Sequence, residues 1–255
     1  MTDLVITGIR GGYPNAEEIV KGIDLKVGAG DLTVIIGPNG AGKSTFLKLI
    51  AGLLKPTEGA VTLSGAKLPL GNAQAACSSG MSFVPQERNV FGSLSVRENL
   101  EMGGFLARNV VRDRIDEQLV RFPLLKSKLK EKAGNLSGGQ RQVLAMGMAL
   151  MTSPSVLLLD EPTAGLSPAA ADEIFELVRC LAASGIAVLM VEQNALLALE
   201  YGTKGLVLAA GRKIREESAS SLLADDEVRH LFLGRREHGH GSATRSEKGE
   251  HHAQA

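Results

Sequence analysis

The stretch Leu32-Thr-Val-Ile-Ile-Gly-Pro-Asn-Gly-Ala-Gly-Lys-Ser-Thr45 decides how this chain folds. Leu32–Ile36 is a continuous apolar run, as expected of a central parallel strand covered on both faces. Gly37, Pro38, Asn39, Gly40, Ala41, Gly42, Lys43 and Ser44 then fit G-x-x-x-x-G-K-[ST], followed by Thr45. Glycines at these places let backbone N–H groups turn inward around phosphate oxygens. The helix expected from about Ser44 to Leu53 adds its positive N-terminal end. Lys43 is placed to reach the β- and γ-phosphates of a nucleoside triphosphate, and Ser44 to set its hydroxyl on Mg²⁺.

Nearer the N-terminus, Leu4–Arg10 and Ile23–Val27 alternate apolar and polar residues, as half-buried strands do. Ala60–Ser64 reads as a further strand after the turn Lys55-Pro-Thr-Glu-Gly59. Arg97–Lys132 is dense in charge at helical spacing and reads as a helical insertion. A second α/β stretch follows: strand Val156–Leu159, helix Ala169–Ala183, strand Ile186–Val191, helix Ala195–Glu200 and strand Gly205–Ala209. Strands alternating with helices imply a parallel, doubly wound sheet. Past Gly234 the composition collapses to Gly, Ser, His and charge. Residues 235–255 read as a disordered tail, with His238, His240, His251 and His252 solvated in it.

Composition narrows the function classes. The 255 residues are 44% hydrophobic, enough for a sizeable core, and 28 basic residues balance 28 acidic ones. A neutral chain gives no electrostatic reason to expect nucleic acid. Cys77 and Cys180 read as reduced thiols, and the charged and polar residues within Met1–Arg10 do not read as a signal peptide. The longest apolar runs have the length of buried strands, far short of a membrane span. A role in transport would have to be exercised through a partner.

Two further motifs carry chemistry. Val156-Leu-Leu-Leu-Asp-Glu161 delivers two acids to the carboxyl edge of a buried strand, where ligands sit in such sheets. Asp160 would orient Mg²⁺ and Glu161 would act as general base on the attacking water. Leu136-Ser-Gly-Gly-Gln140 opens a helix with a Ser-Gly-Gly turn, a second anion-binding device; Ser137 either caps that helix or binds a phosphate.

The Gly37–Thr45 loop, Gln86, Leu136–Gln140, Val156–Glu161 and Ala164-Gly-Leu-Ser167 occur in the order found in ABC transporter ATPase subunits, which this chain resembles from about Leu4 to Gly234. The resemblance implies a RecA-like P-loop NTPase core with an N-terminal antiparallel β part and an inserted helical subdomain at about 88–153, within an ATP-binding domain spanning 1–234. It implies MgATP as ligand and two composite sites in a dimer. In each, the signature residues Leu136, Ser137, Gly138, Gly139 and Gln140 of one cassette close over the γ-phosphate held by the other. Tyr13 resembles the aromatic that stacks on adenine, with a simple turn tyrosine as the other reading. Gln86 resembles the glutamine that senses Mg²⁺ and the attacking water. Most of the family has a histidine on the γ-phosphate where this chain has Gln193; an amide donates a hydrogen bond and carries no charge. Ser167 also departs from the commoner Asp.

Val191-Glu-Gln-Asn194, the segment Asn89–Gly104 and the terminal Leu231-Phe-Leu-Gly234 resemble one of the two ATPase subunits of branched-chain amino acid importers. Relatives importing urea or short amides share these features. The partners implied are a second ATPase subunit, identical or not, transmembrane permease subunits and, indirectly, a substrate-binding protein. The place implied is the cytoplasmic face of the membrane. A soluble repair or translation ATPase competes with this reading. Repair-type chains insert long coiled coils between the two motifs, however, and translation-type chains usually carry two cassettes.

Overall fold

The computed structural model describes residues 3–228; the tail and the Leu231–Gly234 segment lie outside them. Four strands make an antiparallel sheet: β1 (Asp3–Gly11), β2 (Val20–Gly28), β4 (Glu58–Leu63) and β5 (Ala66–Lys67), in the order β2-β1-β4-β5. Six make the second sheet: β3 (Leu32–Ile36), β6 (Met81–Val84), β7 (Val156–Asp160), β8 (Ala187–Val191), β9 (Lys204–Ala209) and β10 (Arg212–Ser218), in the order β10-β9-β3-β8-β7-β6. The pairings β9–β3, β3–β8, β8–β7 and β7–β6 are parallel, and β10 adds antiparallel at the edge.

The helices are α1 (Lys43–Ile50), α2 (Ala73–Ser78), α3 (Val96–Gly103), α4 (Val111–Arg121), α5 (Pro123–Ser127), α6 (Gly138–Leu150), α7 (Pro168–Ala183), α8 (Ala195–Tyr201) and α9 (Ala219–Ala224). The chain from α3 to α6, between β6 and β7, contains helices and turns and no strand. Here β3, β7 and β8 are buried at every residue, so their side chains supply two cores at once. Successive strand side chains point to opposite faces. Val34, Ile36, Leu157, Leu159, Val188 and Met190 join one core with α6, α7 and α8. Ile35, Val156, Leu158, Leu189 and Val191 join the other with Phe46, Leu47 and Ile50 of α1 and with the inner face of the antiparallel sheet. The helix after the phosphate loop is thus held between two sheets.

That alternation also aims a functional side chain. Asp160 shares the parity of Val156 and Leu158, so it leaves the sheet on the α1 side. The first helix ends at Ile50, short of Leu53 as read from sequence. Gly52 has φ 73°, and a Cβ there would meet the Asn72 backbone at 2.7 Å, so the chain leaves the helical track at that point.

Candidate nucleotide-binding site

Between β3 and α1 the loop presses against the end of β9. A Cβ added to Gly37 would lie 2.2 Å from the Leu208 carbonyl oxygen, so the loop can follow this path only with glycine there. Lys43, the first residue of α1, is buried, and its Nζ donates across the loop to Gly37 O at 2.8 Å and Pro38 O at 3.2 Å. Burial pushes the Lys43 ammonium down from its ordinary pKa, while the carboxylates of Glu161 and Asp160 oppose that shift. Asn39 to Thr45, with Ile19 and Glu161, line one concave pocket.

Lys43→Ala is expected to weaken nucleotide binding itself. A hydrogen bond to a charged group contributes about 1.5–3 kcal/mol, or roughly 10–150-fold in affinity. Equilibrium titration with a fluorescent ATP analogue checks this, and unchanged affinity would contradict the role.

Asp160 is 4% exposed, and its Oδ1 is buried with no hydrogen-bond partner. A buried carboxylate oxygen without a partner calls for an explanation. A hard divalent cation, which takes carboxylate and hydroxyl oxygens, is one that fits the donor set of Asp160 and Ser44. Glu161 follows directly and sits at φ 47°, a left-handed conformation costing about 1–2 kcal/mol for a residue with a Cβ. It is retained because the surroundings hold it. The Glu161 N–H donates to Val191 O at 2.9 Å, and Gln86 Nε2 donates to Glu161 Oε2 at 2.8 Å. Burial raises the Glu161 carboxyl above the usual range, the Asp160 charge adds to this, and Lys43 opposes it. The structure therefore brings together Lys43, Ser44, Glu161 and Gln86 from three separate stretches.

Leu136 is buried, and Ser137 caps α6: its Oγ accepts from Gln140 N at 3.3 Å while Gln140 Oε1 accepts from Ser137 N at 3.1 Å. Ser95 and Glu98 form the same reciprocal cap on α3, so capping alone does not single out Ser137. The glycines do. A Cβ at Gly138 would meet Leu166 Cδ2 at 3.0 Å, and one at Gly139 would touch Ala170 Cβ at 3.4 Å. The turn thus packs closely on the segment that follows Glu161. No residue from Leu136 to Gln140 lines the phosphate pocket of its own chain.

The sequence model of the ABC transporter family matches residues 20–164, a span holding the phosphate loop, the Ser137 turn and the Asp160-Glu161 pair. The chain belongs to the ABC transporter family. It is 38% identical over 223 residues to the "High-affinity branched-chain amino acid transport ATP-binding protein BraG" of Pseudomonas aeruginosa, covering 87% of this chain and 96% of that one. It is 39% identical over 228 residues to the "Probable branched-chain amino acid transport ATP-binding protein LivF" of Archaeoglobus fulgidus, with coverages of 89% and 96%. Among solved structures, the ADP conformation of MJ1267, an ATP-binding cassette of an ABC transporter, superposes with a TM-score of 0.81 at 30% identity. That match covers 92% of this chain and 99% of the other. The chain is an ATPase with the α/β cassette fold.

Within this cassette, Gln193 is exposed just past β8, and its N–H donates to Glu192 Oε2 at 3.2 Å. Tyr13 follows β1, is 43% exposed, and receives a hydrogen bond on its hydroxyl from Lys48 Nζ at 3.3 Å. That ammonium lies 5.9 Å from the ring centroid. Two sets of residues were given no site role by the sequence reading. Asn89 Nδ2 donates to Gln142 Oε1 at 2.7 Å, tying the segment after Gln86 to α6. Glu192 Oε1 accepts from Thr163 N at 3.0 Å and Thr163 Oγ1 at 2.8 Å. The available signal for Glu192 was a charge placed directly after an entirely apolar strand.

Proposed function

We propose that this chain is the ATP-hydrolysing subunit of an importer for branched-chain or related amino acids, acting at the cytoplasmic face of a membrane. The observation that carries the substrate class is the match to two branched-chain amino acid transport ATP-binding proteins along nearly their whole length. Among the described residues no helix is long and apolar enough to cross a membrane, so transport requires permease subunits. A groove bounded by Leu53, Cys77, Phe83, Pro85, Met148 and Thr152 lies apart from the phosphate pocket and supports docking of such a partner.

In the proposed mechanism Lys43 and the backbone of residues 37–45 bind the phosphates of ATP, and Tyr13 takes the adenine. Ser44 and Asp160 would hold Mg²⁺, assisted by Gln86. The ion, when bound, would supply charge neutralisation for the phosphates. Glu161 accepts the proton of the attacking water, and Gln86 orients its carboxylate. Gln193 donates an amide hydrogen bond toward the γ-phosphate. A second cassette supplies Leu136–Gln140 over that phosphate, because a chain with one P-loop and one signature turn keeps the two apart.

Purification of the tagged chain from solubilised membranes tests the assignment. The expected co-purifying proteins are polytopic permease subunits and a second cassette. Recovery wholly in the soluble fraction, free of membrane proteins, would contradict it. Gln193→Ala is expected to lower turnover by less than Glu161→Gln does, since a neutral amide offers hydrogen bonds and nothing that titrates near neutrality. Gln193→His should retain activity and add a pH dependence near neutrality, read from a pH–rate series.

A further inference from the structure

Three charged side chains are buried among the described residues: Lys43, Asp160 and Glu192. Charged side chains are rarely buried without a purpose that pairs or hydrogen-bonds them. The first two belong to the nucleotide site. Glu192 is 2% exposed and carries no role in the mechanism above.

Its contacts link three catalytic segments. Glu192 Oε1 accepts both donors of Thr163, two residues past Glu161. Glu192 Oε2 accepts the N–H of Gln193. The Glu192 N–H faces Ile35 O of β3 at 3.4 Å, two residues before Gly37. Its neighbour Val191 accepts the N–H of Glu161. The turn Glu161-Pro-Thr163 is therefore fastened at both ends to Val191 and Glu192. Glu161 is itself the first of those fastened ends, and it sits in a left-handed conformation that it would not hold unaided. The fastening extends further: Thr163 O accepts from Leu166 N, and Leu166 packs against Gly138 of the signature turn.

We infer that Glu192 is a positioning residue for ATP hydrolysis: its carboxylate pins Thr163 and thereby sets the direction of the Glu161 carboxylate, in register with Gln193. The inference rests on the reading of Glu161 as general base. A displacement of a reacting group by about 1 Å lowers rate by about 10²-fold while leaving the phosphate loop intact. The signature of such a residue is a loss in kcat without a loss in nucleotide affinity.

The test compares Glu192→Met, which keeps the length and loses the acceptor, with Glu192→Gln, which keeps one oxygen for Thr163, and with Thr163→Val, which removes the hydroxyl. Each is made in the full chain and assayed in the complex it co-purifies with, alongside Glu161→Gln. Turnover, KM for ATP and the dissociation constant of a fluorescent ATP analogue are measured. Glu192→Met is expected to lower kcat about 10–100-fold with affinity within about twofold of the parent. Glu192→Gln should recover most of that loss, and Thr163→Val should add little when combined with Glu192→Met. Parental kcat in Glu192→Met, or equal loss of kcat and affinity in the Met and Gln variants, overturns the inference. If Glu192→Met does not fold, Glu192→Ala, which removes the carboxylate and with it both hydrogen bonds to Thr163, takes its place: lower kcat at unchanged affinity supports the pin, and parental kcat overturns it. Parental activity in Glu161→Gln would instead overturn the general base, a separate failure.

Discussion

Glu161→Gln is expected to lower ATP hydrolysis about 10²–10⁴-fold, the range for loss of a positioned general base. Glutamine keeps the shape and still has an oxygen to accept from Gln86 Nε2, so the neighbourhood that holds Glu161 in place should persist. What disappears is a group able to take a proton. Burial and the Asp160 charge already raise the affinity of the Glu161 carboxyl for a proton, as suits a base at neutral pH, whereas an amide has no such capacity. Nucleotide affinity should be unchanged, because Lys43, Ser44 and the phosphate loop are untouched. A steady-state phosphate-release assay beside an ATP-analogue titration separates the two quantities. Hydrolysis at the parental rate would show that Glu161 is not the base.

Ser137→Arg is expected to remove hydrolysis by a comparable margin through a different route. The side chain points from the start of α6, and the turn it occupies lines no part of its own phosphate pocket. Loss of the Ser137–Gln140 cap destabilises α6 by about 1 kcal/mol, too little to unfold the domain. Binding of ATP by the isolated chain should therefore survive. In the proposed sandwich, a guanidinium would replace the small hydroxyl at the place proposed for the γ-phosphate of the partner site. Losing the signature donors there costs about 10²–10³-fold, as for other preorganised donors to developing charge. A melting curve and a nucleotide titration establish that fold and binding are intact before the rate is read.

Much of this architecture was legible because buried parallel strands announce themselves. Leu32–Ile36, Val156–Asp160 and Ala187–Val191 are apolar nearly throughout, since each feeds two cores. The elements that escaped are those without that signature. β10, Arg-Lys-Ile-Arg-Glu-Glu-Ser from 212 to 218, is an exposed edge strand whose residues meet solvent. β6 has only four residues, flanked by Gly80 and Pro85, too short for a period to show. Within the candidate site, Lys43, Ser44, Asp160 and Glu161 could be nominated from the sequence because the chemistry proposed for them depends on fixed spacing along the chain. Glu192 and Thr163 lie 29 residues apart, and Val191 is similarly distant in sequence from Glu161, whose N–H it accepts; only the parallel pairing of β7 and β8 brings those segments together. Sequence spacing carries no trace of such a contact. The same holds for Asn89 and Gln142, joined across 53 residues.

Sedimentation velocity with MgATP reports on the composite site itself. Glu161→Gln, which should bind ATP without consuming it, is predicted to sediment as a dimer with nucleotide and as a monomer without it. Adding Ser137→Arg to Glu161→Gln is predicted to leave a monomer in both conditions while ATP stays bound. Equal ATP-dependent dimerisation of the two proteins would contradict the placement of Ser137 over the phosphate of a second cassette.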